Sequence, residues 1–278
     1  MNNKRHNELS TRLEIHSRIV MALKVPKITC RWINFIYPSE LFVGSTIAWL
    51  LGEETLSKQR NEWYLLQSGN MINQIFAYKG NLIWTFLFIG LAVARTYLES
   101  RISADLPRDA RMIGRNPVKG CIKQYVSKII LKNVLLLLIF FIIDRTFILT
   151  GGSCSSGSKI RSAERCKANG GKWEGGFDIS GHFCFLVNIS MILWLELQQL
   201  RHYIVEQELQ FALNTWCQAI VGCTVSVLIM WIVILMVTSI YYHTVLEKII
   251  GCAMGYICPI VMFVIIPKNL RLNKLLYQ

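Results

Sequence analysis

Long stretches without a charged side chain constrain this chain more than any other feature. Leu82–Ala94, His182–Leu195, Leu213–Tyr242 and Ile249–Ile266 contain no Asp, Glu, Lys or Arg. An apolar run of about 20 residues is long enough to cross a bilayer as a helix. A soluble chain of this size would alternate polar and apolar faces instead. With 53% of its 278 residues hydrophobic, the chain reads as an all-α membrane protein. The expected architecture is a polytopic bundle of six transmembrane helices over residues 32–267. The spans are placed at about 32–51, 82–98, 129–150, 180–197, 213–240 and 245–266. A basic arm, 1–31, precedes them and a basic tail, 268–278, follows.

The formal net charge of +13 raises nucleic acid as a partner. The basic residues, however, lie between the apolar runs, where they set topology and meet anionic headgroups, so nucleic acid is set aside. Residues 1–31 either form a weak amphipathic helix on the membrane surface or a disordered basic tail. Pro38 predicts a kink or a late start for the first span. The loop between spans two and three is the most basic, with Arg101, Arg108, Arg111, Arg115, Lys119, Lys123 and Lys128. Pro107 and Pro117 argue against one continuous helix there. Counting from the N-terminus, that loop falls on the same side as both termini. The side with most of the lysines and arginines is expected to be cytosolic.

The mixed-charge loop 52–80, the segment 151–177 and the turn at His243 then share the opposite side. Segment 151–177 holds Cys154 and Cys166, which could pair in an oxidising compartment. No Cys/His cluster has zinc-ligand spacing, so the residues identify no metal, and the cofactor is left undetermined. Asp144 and Arg145 close the third span. They either face a wet site or snorkel outward as an interfacial pair.

Two stretches on the non-cytosolic side carry chemistry: Gly176-Phe177-Asp178-Ile179-Ser180-Gly181-His182 at the start of span four, and Tyr242-His243-Thr244-Val245-Leu246-Glu247-Lys248 between spans five and six. The chain crosses twice between them, so both histidines are expected at one face. Two imidazoles can divide a displacement at phosphorus, one attacking and one protonating the leaving oxygen. Ser180, Gly181 and the free N–H groups of the helix start suit a phosphate. Arg145, Lys172 and Lys248 are the candidate cations. Glu247, four residues after His243, either orients that imidazole or serves with Thr244 as a capping box. Ser180 and Asp178 are also ordinary helix-capping residues.

Trp173, Gly176–His182, Tyr242-His243-Thr244 and Glu247-Lys248 together resemble the signature of the fat-storage-inducing transmembrane family, in its shorter fungal branch. The likeness covers the chain outside the N-terminal arm. The family is similar to lipid phosphate phosphatases and resides in the endoplasmic reticulum membrane. The resemblance implies hydrolysis of fatty acyl-CoA to acyl-4′-phosphopantetheine and adenosine 3′,5′-bisphosphate, with binding of di- and triacylglycerol and a part in lipid-droplet formation. It also implies that His182 and His243 are catalytic, His243 as nucleophile and His182 as general acid. The sequence departs from the phosphatase pattern at Ile179, where those enzymes carry proline. It departs again at Met236 and Val237, which replace a Ser-Arg pair. The alternative is a non-catalytic membrane protein that binds neutral lipid and partitions it into droplets.

Overall fold

The computed structural model describes residues 33–67, 69–105, 117–157, 160–207, 209 and 214–277. The N-terminal arm, Trp32, Pro107, Arg108, Arg111, Arg115 and Lys159 lie outside these residues. In chain order the helices are α1 (Ile33–Leu51), α2 (Glu53–Glu62), α3 (Gly80–Asp105), α4 (Pro117–Leu149), α5 (Ala163–Ala168), α6 (Gly181–Glu206), α7 (Thr215–Tyr241), α8 (Val245–Gly255) and α9 (Leu270–Leu276). Beyond Tyr256, α8 continues through Ile257–Ile260, a π turn at Val261–Ile265 and Ile266–Lys268. A two-stranded antiparallel hairpin, β1 (Ser153–Cys154) against β2 (Trp173–Glu174), sits between α4 and α6. Five helical segments are long and apolar enough to cross a membrane, six if α1 and α2 form one bent span. The protein is a multi-pass, all-helical membrane protein.

The axis of the bundle is α6. In its most apolar window 72% of α6 is buried, against 28% for α4 and for α7. The outer helices present their apolar residues to lipid, whereas α6 is surrounded by protein. Helices α6 and α8 run parallel and touch closely. A Cβ added at Gly251 would meet Ser180 O at 2.6 Å, and one at Gly255 would meet Cys184 O at 2.9 Å. This four-residue glycine spacing lets two membrane helices approach at backbone distance. It also sets their N-termini side by side.

Several helix ends differ from the sequence expectation. Pro117 opens α4, where its missing N–H is no loss, so the third span's helix begins well before the expected start at 129. Lys119, Lys123 and Lys128, expected in a loop, are therefore helical. Lys128 is buried against Glu196 of α6, each side chain 1% exposed, and Tyr125 donates to the same carboxylate at 3.1 Å. Lys132, one turn on, is buried on Asn81 and over the Trp84 ring. The segment 52–80, expected as a loop, contains α2, a 3-10 turn at Tyr64–Leu66, one helical turn at Met71–Asn73 and a π turn at Gln74–Tyr78.

Pro38 does not delay the helix. Helix α1 starts at Ile33 and passes through Pro38, and the sharp bend of 101° falls between α1 and α2, at Gly52 with φ 73°. Proline has no N–H for the carbonyl four residues back, here that of Asn34. Tyr256 donates its hydroxyl to that oxygen at 2.8 Å. Pro267 follows the π turn, where the N–H of Ile266 reaches five residues back to Val261 O; in that register the bond Pro267 lacks falls on Met262, whose carbonyl accepts from Tyr277 Oη at 2.9 Å. Both repairs follow from the rule that a backbone carbonyl facing hydrocarbon must be satisfied within the protein.

This account predicts an interaction between two substitutions. Tyr256→Phe should destabilise the protein by about 1 kcal/mol, because it orphans the Asn34 carbonyl. In a Pro38→Ala background the regained N–H takes that carbonyl, so the same change should cost much less. Thermal unfolding of the four proteins in one detergent measures the difference.

Candidate active site

Ser180 caps α6, its Oγ accepting from Phe183 N at 3.4 Å. Thr244 caps α8, and a reciprocal capping box joins it to Glu247: Thr244 N donates to Glu247 Oε2 at 2.7 Å, and Glu247 N to Thr244 Oγ1 at 3.4 Å. The other carboxylate oxygen of Glu247 leaves its own helix. Glu247 Oε1 accepts from Asp178 N at 3.0 Å, and the Glu247 carbonyl accepts from Ser180 N at 3.2 Å. The two chemistry-bearing stretches, more than sixty residues apart in sequence, are thus hydrogen-bonded directly to each other. Glu247 is both a capping residue and the bridge between the stretches.

His243 forms the turn between α7 and α8, with φ 58°, the one left-handed non-glycine residue among those described. This region costs a residue other than glycine of the order of 1–3 kcal/mol and recurs at functional sites. The strained turn aims the imidazole back at the start of α6. Its Nδ1 lies 3.6 Å from Asp178 Oδ2 and 3.8 Å from Glu247 Oε2. Two carboxylates at Nδ1 favour the proton on that nitrogen and leave Nε2 as the nucleophilic atom. Asp178 has an exposed side chain (49%). Its carboxyl is shifted up, chiefly by burial of its protein-facing side, with Glu247 and Asp144 adding negative charge and His243 pulling the other way. Solvent at its open side limits that shift.

His182 stands in the first turn of α6. Its Nε2 is 3.1 Å from Asn73 Oδ1. Tyr78 meets the ring edge-on, 5.9 Å between centroids. With the carbonyl oxygen of Asn73 as acceptor, Nε2 carries a proton and Nδ1 is left for proton transfer. His243 lies within electrostatic range of the His182 ring, so the two imidazoles share one end of the bundle. Gly181 leaves room: a Cβ there would meet only the Phe140 ring, at an ordinary 3.6 Å. Packing within the chain therefore does not require a glycine at 181. Among the described residues, no group of three or more His, Cys, Asp or Glu is arranged to hold a metal ion.

The family model for the fat storage-inducing transmembrane protein (FIT) matches residues 61–263. The chain belongs to the FIT family. It is 44% identical over 259 residues to the acyl-coenzyme A diphosphatase YFT2 of Saccharomyces cerevisiae, covering 87% of this chain and 94% of that protein. It is 28% identical over 227 residues to the acyl-coenzyme A diphosphatase fit1 of Schizosaccharomyces pombe, covering 79% of this chain and 78% of the relative. The human relative, acyl-coenzyme A diphosphatase FITM2, is 28% identical over 95 residues, 34% of this chain and 35% of its own length. No solved structure matches.

This FIT chain holds its candidate cations differently from the sequence expectation. Lys248 is 2% exposed, and its ammonium donates to Ser239 O at the end of α7, at 2.6 Å. That contact closes the C-terminus of α7 and engages the charge. Arg145 is exposed and lies over the Phe141 ring of its own helix, 4.9 Å from the centroid. Lys172 is exposed, and its backbone pairs with Ser155 across the hairpin. Asp144 accepts from Ala163 N at 3.3 Å, so it anchors α5 to α4. Cys154 and Cys166 are disulfide-bonded.

Three neighbours of His182 escaped the sequence reading: Asn73, Tyr78 and Lys167. The Lys167 ammonium lies over the Tyr78 ring, 3.6 Å from its centroid, and within electrostatic range of His182. Asn73 and Tyr78 lay in a segment expected to be a loop, where no periodic pattern marks the face that turns inward. The hydrogen-bond reciprocity of Thr244-x-x-Glu247 was visible in advance; the second use of Glu247, across to Asp178, was not.

Glu247→Ala should lower stability by about 2 kcal/mol, since it removes a cap and a charge-assisted bond between stretches. Glu247→Gln keeps an acceptor and a donor, and should recover about half of that loss. Thermal unfolding of detergent-purified protein reads both.

Proposed function

We propose that this protein is an acyl-CoA diphosphatase that hydrolyses fatty acyl-CoA to acyl-4′-phosphopantetheine and adenosine 3′,5′-bisphosphate. The single observation that carries the reading is the pair of imidazoles at one end of the bundle, one with carboxylates at Nδ1 and the other held by Asn73. The 44% identity to the yeast diphosphatase, over nearly all of that protein, supports the substrate.

In this mechanism His243 Nε2 attacks one phosphorus of the diphosphate and the bridging P–O bond breaks. The departing phosphate oxygen takes a proton from His182. Water then attacks the phosphohistidine, giving its proton to His182 and restoring both imidazoles. Asp178 and Glu247 stabilise the positive charge on His243 while it carries the phosphoryl group. The adjoining starts of α6 and α8 direct their positive dipole ends at the anionic centre. Ser180 acts as a positioning residue through its cap of α6. The acyl chain lies against the apolar helices while the nucleotide stays in water, which suits a site at a membrane boundary.

We place the protein in the endoplasmic reticulum membrane with both termini in the cytosol and the site facing the lumen. The basic residues between spans support that orientation, and the disulfide suits an oxidising compartment. Binding of di- and triacylglycerol and support of lipid droplets belong to the same reading, with the family's name as their support.

Purified protein supplied with oleoyl-CoA should yield both products by mass spectrometry. His243→Ala or His182→Ala should each lower turnover by roughly 10²–10⁴-fold. Wild-type-like turnover in either variant would sink the two-histidine mechanism. For orientation, an N-glycosylation acceptor inserted after Ser156 should be modified in cells, and one inserted after Gln207, past the end of α6, should not. The opposite pattern would invert the topology.

A further inference from the structure

Lys167 stands out once the expected cations are accounted for. Lys248 is bonded to the end of α7, Arg145 lies on its own helix, and Lys172 is fixed through its backbone to Ser155 in the hairpin. The Lys167 ammonium instead rests on the exposed side of Tyr78, the ring that packs against His182. A cation over an aromatic face is held more weakly than one bonded to a phosphate oxygen. The ammonium is therefore kept near the site and remains able to transfer to an anion.

The element that carries Lys167 is too small to hold itself. Helix α5 has 6 residues and each hairpin strand has 2. Helices and hairpins of that size are unstable alone. Three attachments fix the segment to the rest, and a disulfide closes it internally. Cys166, the residue before Lys167, is bonded to Cys154 in β1. Ala163 N donates to Asp144, Trp173 stacks on Phe147 with centroids 4.4 Å apart, and Phe177 N donates to Thr150 Oγ1 at 2.8 Å. The last three tie the segment to α4 and to Thr150 just past its end, whereas the disulfide braces the residue next to Lys167 against β1. Breaking it frees the turn that presents the ammonium.

We propose that Lys167 binds a phosphate oxygen of the substrate's anionic head, and that the Cys154–Cys166 disulfide holds it in place to do so. The inference rests on the diphosphatase reading above and names the cation that this reading lacks. It also makes activity dependent on the redox state of one bond.

The test is steady-state kinetics with oleoyl-CoA on detergent-purified full-length protein, with thermal unfolding run on every variant. Lys167→Ala should raise KM about tenfold or more with kcat changed by only a few-fold, and Lys167→Arg should restore most of the affinity. Added salt should raise KM in wild type more steeply than in Lys167→Ala, a difference that a structural role would not produce. The Cys154→Ser/Cys166→Ser pair, or mild reduction of folded wild type, should raise KM by a comparable factor but add little in the Lys167→Ala background. A wild-type KM in Lys167→Ala would overturn the binding role. A disulfide effect that persists undiminished in Lys167→Ala would overturn the clamp. Wild-type protein that never turns over oleoyl-CoA defeats the diphosphatase reading instead, so the two failures are distinguishable.

Discussion

A helix that starts at a membrane boundary leaves N–H groups without partners in its first turn. Here two such starts lie side by side, and one carboxylate serves both. Glu247 closes its own helix through Thr244 and reaches across to Asp178 in the approach to α6. The parallel contact of α6 with α8 at Gly251 and Gly255 brings the carboxylate within range. Remove either the glycine contact or the acid and the two histidines lose their common frame. The same carboxylate lies 3.8 Å from His243 Nδ1, so the group that holds the site together also orients one of its imidazoles.

The hydrocarbon environment explains the polar contacts elsewhere. A proline in a soluble helix can leave the freed carbonyl to water; in lipid it cannot. Tyr256 and Tyr277 each take such a carbonyl, from Asn34 and Met262. The buried charges obey the same constraint. Lys128 and Glu196 neutralise each other with Tyr125 as a third partner, and Lys132 has Asn81 and the face of Trp84. A pair of this kind contributes little net stability over an apolar replacement, but losing one partner leaves a stranded charge. These contacts fix the register of α4 on α6, and α4 in turn carries Phe147 and leads into Thr150, on which the disulfide segment rests.

The sequence revealed the features that local chemistry dictates. Apolar runs located the helices, the spacing of Thr244 and Glu247 announced a capping box, and parity along the chain put His182 and His243 at one end. What it withheld depends on partners far apart in the chain. Lys248 reads as a free cation until the carbonyl of Ser239 is seen to hold it. Pro38 reads as a kink because the sequence does not show that Tyr256 repairs the broken hydrogen bond. Asn73 and Tyr78 sit in a segment read as a mixed-charge loop, with no amphipathic period, so nothing local identified the side chains that turn toward His182. Lys167 was one of five basic residues in a single segment, and only the Cys154–Cys166 bond singles out its position.

The two imidazoles have different neighbours, and the proposed roles rest on that difference. His243 has the carboxylates of Asp178 and Glu247 at Nδ1, which leaves Nε2 as the atom proposed to carry the phosphoryl group. His182 has the neutral amide of Asn73 at Nε2, with His243 and Lys167 within electrostatic range. With Asn73 on Nε2, proton exchange at that ring is left to Nδ1. The proposed division of labour rests on what each ring touches. It requires no difference in depth, because the paired starts of α6 and α8 hold both rings at the same boundary.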